Sequence, residues 1–111
     1  MTALQLPHVT LKRPSECRTK DEVRAEIDRL DQVLIGLFAE RHTYVHRIAE
    51  IKERVEEAYD QARVDAVLTK VRERARAHRL DPDQAELLWR TLIDWNINFE
   101  KGIISARHPE D

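Results

Sequence analysis

Arg41 and Lys52 stand where apolar residues belong, on a stripe that otherwise reads Val23, Ile27, Leu30, Leu34, Leu37, Val45, Ile48 and Val55. Steps of three and four keep these positions on one face of a helix. A long cation is almost never fully buried without a partner, so the pair must meet acidic side chains or an anionic ligand. Eleven residues separate them, which sets them within ~20° of each other around a helix axis and ~16 Å apart along it. At that spacing their side chains can lean together and clasp a small dianion. A second stripe, Trp89, Ile93, Asn96, Glu100 and Ile104, carries two polar residues one turn apart that are suited to line the same cavity. Arg63 adds a guanidinium able to hold a carboxylate with two hydrogen bonds. Arg24 precedes Arg41 by seventeen residues, or ~25 Å of helix, and cannot reach the same ligand within its own chain. In an antiparallel dimer it would enter the partner's site. The set consists of cations and hydrogen bonders.

The elements that must position these residues are helical. A first helix is expected from about Thr19 to Glu57 without a proline, with Thr19 and Glu22 as a capping box and Asp21 in the first turn. Gly36 weakens it by about 1 kcal/mol relative to alanine, a cost that close packing against a partner helix can offset. Asp60 is placed to cap a second helix that buries Val64, Val67, Leu68, Val71 and Ala75 and ends before Leu80. Asp81, Pro82 and Gln84 give a strong start signal for a third, which runs to about Ser105. The first helix, at about 38 residues, would be roughly 57 Å long, against a radius of gyration of ~13 Å for a compact chain of this size. Its own chain cannot cover it, so two long helices side by side in a dimer are the natural solution.

Composition agrees. Charged residues make up 36% of the 111 and apolar residues 41%, with two glycines and four prolines; together with the 3.6-residue spacing this indicates an all-α chain without a sheet. A net charge of −2 favours neither nucleic acid nor an acidic membrane as partner. Cys17 is the only cysteine, so no intrachain disulfide can form and a cytoplasmic location is expected. No signal peptide and no span of membrane length are read. Residues 1–18 read as an irregular arm whose Leu4, Leu6, Val9 and Leu11 are able to dock on a neighbouring surface, residues 19–106 as the helical domain, and 107–111 as a tail. His42 and His46 have the spacing of a metal pair but lack a third ligand, so no metal is expected. The arginines of Arg72–Arg79 spread around their helix as a solvated face.

The order and spacing of these residues resemble the all-helical chorismate mutase family, including its relative isochorismate pyruvate lyase. The likeness covers about residues 20–104. VRAEIDRLDQVLIGLFAER, from Val23 to Arg41, looks like the family's opening signature, with Lys52 eleven residues on. DQAR, Asp60 to Arg63, matches the next motif, and Asn96 and Glu100 fall on the paired polar positions of the last helix. The resemblance implies an intertwined homodimer of three-helix chains with two identical sites and no cofactor. Arg41, Arg63 and the partner's Arg24 would hold the two carboxylates of chorismate, with Asp60, Val64 and Asn96 also lining the site, while Lys52 and Glu100 would face the ether oxygen. The implied reaction, chorismate to prephenate in the shikimate pathway of aromatic amino acid biosynthesis, is pericyclic and needs no nucleophile, metal or base.

Two positions bear on which relative is nearer. Many mutases have glutamine where Glu100 stands, and a carboxyl group donates to an ether oxygen only when protonated, so activity is expected to fall as pH rises above neutrality. Val64 follows Arg63 where mutases usually place a glutamate, which looks more like the lyase that makes salicylate and pyruvate. A reading of another class is a non-catalytic helical dimer that senses a small anion.

Overall fold

The computed structural model describes residues 12–108, and the expected docking residues Leu4, Leu6, Val9 and Leu11 lie outside them. Three α-helices, α1 (Lys20–Ile51), α2 (Gln61–Ala77) and α3 (Pro82–Arg107), and two 3-10 turns (Pro14–Glu16 and Val55–Ala58) make up the regular structure. No strand occurs among the described residues. None of the helices is long and apolar enough to cross a membrane. The chain divides into two compact units, one up to Thr43 and one from Tyr44 onward.

In the first unit, the Thr19 hydroxyl accepts from the Glu22 amide at 3.1 Å and so caps α1. The expected box is not closed reciprocally. The Glu22 carboxylate accepts instead from the Arg18 amide and pairs with Lys12, and a 3-10 turn at Pro14–Glu16 lies within the stretch read as an irregular arm. These bonds hold the Glu22 carboxyl below its usual value. The stripe Val23, Ile27, Leu30, Leu34 and Leu37, expected to be buried, is 40–50% exposed in the single chain. A methyl group added at Gly36 would meet nothing within 4 Å.

In the second unit, α3 packs against α2 and against the Val55–Ala58 turn. Leu68 and Ala75 of α2, Ala85 and Ile104 of α3, Ala58 of the turn and Ala49 of α1 form the buried apolar set. Asp60 caps α2 by accepting from the Arg63 amide at 3.1 Å, and Asp81 caps α3 by accepting from the Asp83 amide at 2.8 Å, with Pro82 at the first helical position. The α2 exit has the bonding of a Schellman motif: the Leu80 amide reaches the Ala75 carbonyl at 2.8 Å and the Arg79 amide the Arg76 carbonyl at 3.1 Å. Arg79 takes the left-handed conformation there, with φ 62°.

Two ends differ from the sequence reading. Helix α1 stops at Ile51 instead of Glu57, so Lys52 lies just past its last residue and Val55 belongs to a 3-10 turn. The stop has a bonding cause. In a continued helix the Glu53 amide would donate to the Ala49 carbonyl. Here the Glu57 carboxylate accepts from the amides of Glu53 at 2.9 Å and Arg54 at 2.7 Å. Those bonds, that to Arg54 first, keep the Glu57 carboxyl below its usual value. At the other end, α3 continues to Arg107, which places that residue in the helix and not in the tail.

Candidate functional site

The feature that stands out in the second unit is a buried acid. Glu100 on α3 is 7% exposed, as is Asn96 one turn earlier. A carboxylate taken out of water needs a counter-charge. Lys52 supplies it from 48 positions away in sequence, its Nζ donating to Glu100 Oε1 at 2.8 Å. The two side chains keep 21% and 9% of their surface, so the bond is shielded but not sealed. Residues that would each be anomalies on an apolar stripe thus answer one another across the fold.

Lys52 is held by its backbone as well. Its amide donates to the Ile48 carbonyl at 2.9 Å, closing the last turn of α1. The guanidinium of Arg107 donates to the carbonyls of Ala49, at 3.0 Å, and of Lys52 itself. Arg107 and Glu57 were not singled out from the sequence. The only signal available was a cation in the last turn of α3, which ordinarily means an interaction with that helix's own carbonyls.

The remaining candidates are placed as follows. Arg63 lies exposed in the first turn of α2. Asp60, which starts that helix, has one carboxylate oxygen engaged by the Arg63 amide. Val64 is half-buried, its amide bonded to the Asp60 carbonyl at 3.0 Å. In the other unit, Arg41 is half-buried on α1. Arg24 is exposed, 4.0 Å from Asp21, and borders a groove of about 380 Å³ lined also by Cys17, Val23 and Ile27. The structure therefore joins Lys52 to Glu100 directly and buries Asn96 one turn before Glu100 on α3.

The aromatic and charged neighbours also have assignments. Trp95 stacks on Phe99 with centroids 5.7 Å apart and planes 9° from parallel, and the His46 ring lies 5.9 Å from Phe99. His46 Nδ1 is 3.7 Å from Glu50. Arg72, within the arginine-rich run, bridges Asp83 at 3.0 Å and Glu86 at 2.9 Å, and Arg90 adds a bond to Glu86 at 2.7 Å. Arg90 and then Arg72 hold the Glu86 carboxyl below its usual value.

Chemically, the Lys52–Glu100 pair offers a poised donor. An ammonium has three protons to give, and one of them is committed to Glu100. A neutral oxygen that gains negative charge during a reaction would find the others fixed in direction, in a partly dehydrated setting where such a bond is worth more than in water. A comparison with curated proteins gave no match. A family model described as chorismate mutase type II matches residues 23–101.

Proposed function

Because this chain belongs to the chorismate mutase type II family, we propose that it rearranges chorismate to prephenate at a site centred on Lys52 and Glu100. The observation that carries the reading is the ion pair itself. A lysine and a glutamate 48 positions apart in sequence meet at 2.8 Å with the acid buried, where two well-packed apolar side chains would generally be as stable or more so. That arrangement makes sense when the ammonium is to be aimed.

The reaction breaks a carbon–oxygen bond and forms a carbon–carbon bond in one cyclic movement of electrons. Negative charge gathers on the ether oxygen as that bond lengthens. Lys52 donates to this oxygen, and Glu100, as the acceptor of the ammonium, holds it in place. Arg41, Arg63 and the partner's Arg24 hold the two carboxylates so that the diaxial conformer is the one bound, with Asp60 and Asn96 completing the polar lining. Removing conformational freedom and stabilising the developing charge are together sufficient for a unimolecular rearrangement. The protein acts as a homodimer in this reading. The exposed apolar face of α1, from Val23 to Leu37, supports it, since a contiguous stripe of that kind on a single chain marks an interface.

Isochorismate pyruvate lyase activity is the second reading, and Val64 is what favours it. A half-buried valine beside Arg63 gives no hydrogen bond to a substrate hydroxyl. The purified protein, incubated separately with chorismate and isochorismate at pH 5.5 and 8, decides by product chromatography. Prephenate from chorismate is the expected result. Salicylate and pyruvate from isochorismate at much higher efficiency would make the lyase the main activity. Turnover of neither would leave an anion-binding dimer.

A further inference from the structure

We infer that Arg107 is a positioning residue for Lys52, holding the backbone on which the donor ammonium is mounted; this rests on the proposed role of Lys52. Helix α3 grips Lys52 twice. Glu100 binds its side chain at 2.8 Å, and Arg107, seven residues further along and so on nearly the same helical face, binds its carbonyl. The second Arg107 bond goes to the Ala49 carbonyl at 3.0 Å, one of those a helix end leaves without an internal partner.

The position of that end decides where Lys52 points. If α1 continued past Ile51, the Ala49 and Lys52 carbonyls would accept from the amides of Glu53 and Glu56. Arg107 occupies both carbonyls, while Glu57 takes the Glu53 amide at 2.9 Å. The lost Ala49–Glu53 bond is thus replaced by side-chain bonds on both of its halves, and the Lys52 carbonyl regains a donor in Arg107. The chain is released from helical geometry at the residue whose ammonium must be aimed. A planar, always-charged guanidinium suits this task because it bridges two carbonyls in fixed geometry and also favours the negative end of the α1 dipole. A lysine at 107 would keep the charge and lose the fork.

The test compares the parent protein with Arg107→Ala and Arg107→Lys through steady-state kinetics on chorismate and the 13C chemical shift of the Lys52 carbonyl. Helix content by circular dichroism at the assay temperature serves as the folding control. Arg107→Ala is expected to lower kcat about tenfold to a hundredfold, the loss that follows from small displacement of a reacting group. KM should change little, and the Lys52 carbonyl resonance should shift. Arg107→Lys should recover part of kcat. If Arg107→Ala is unfolded at the assay temperature, Arg107→Lys carries the same comparison, with a smaller loss of kcat and a shifted carbonyl expected. A folded variant with the parent's kcat, or with an unmoved Lys52 carbonyl, overturns the assignment, as does a loss confined to KM. A parent that turns over neither chorismate nor isochorismate overturns the reading of the site, and the proposal with it, whatever the carbonyl does.

Discussion

At the scale of single residues, the chemistry of this chain lies in polar groups placed where burial penalises them. Lys52, Asn96 and Glu100 were legible because each interrupts an apolar stripe, and the structure joins the first and last directly. Arg107 was not legible. Its partners are main-chain carbonyls of Ala49 and Lys52, and a carbonyl looks the same in every sequence. In the structure Glu100 accepts from the Lys52 ammonium, whereas an amide can also donate to an ether oxygen, so Glu100→Gln should raise kcat for chorismate. Folding should weaken by about 1–3 kcal/mol, because Lys52 loses a charged acceptor in a shielded setting. An unchanged or lower kcat would mean that the charge on Glu100, by holding Lys52, matters more than a second donor.

At the scale of elements, the helix starts were written in the sequence, as was the α2 stop before Leu80, but the stop of α1 was not. Thr19, Asp60 and Asp81 each accept an amide of the first turn they precede, as side chains of these types do. Stops are harder to read when they depend on distant groups or on residues in unfavoured conformations. Helix α1 ends where Glu57 and Arg107 divide its bonds, although the apolar period runs on through Val55. Helix α2 ends in a motif whose left-handed position is usually glycine, yet this chain has arginine there, at φ 62°. Replacing Arg79 with glycine should relieve that conformation and stabilise the fold by about 1 kcal/mol, partly offset by glycine's greater entropy when unfolded. The measurement is a rise in the urea midpoint with an unchanged slope. A fall would mean that the arginine side chain contributes more than its backbone conformation costs.

At the scale of the whole molecule, the sequence implied an association that a single chain cannot display. The five stripe residues of α1, Val23, Ile27, Leu30, Leu34 and Leu37, are each at least 40% exposed, and a side chain added at the nearby Gly36 would meet nothing within 4 Å. The helical period told which face this is, but a period cannot say what lies against it. In the proposed homodimer, Leu34→Glu would place a charge in the interface, where burying it unpaired is costly. The variant should sediment as a monomer and lose turnover, because each site would lack the partner's Arg24, and its melting temperature should no longer rise with protein concentration as that of a dimer does. An unchanged sedimentation coefficient would place the interface elsewhere. The stack of Trp95 on Phe99 has a different consequence, an optical one. Phe99 directly precedes Glu100 in the chain, so any movement of the turn that carries the buried acid would disturb the stack. With Trp89 changed to phenylalanine, the emission of Trp95 becomes the sole indole signal, and its change on adding a substrate mimic that never reacts would report such a movement.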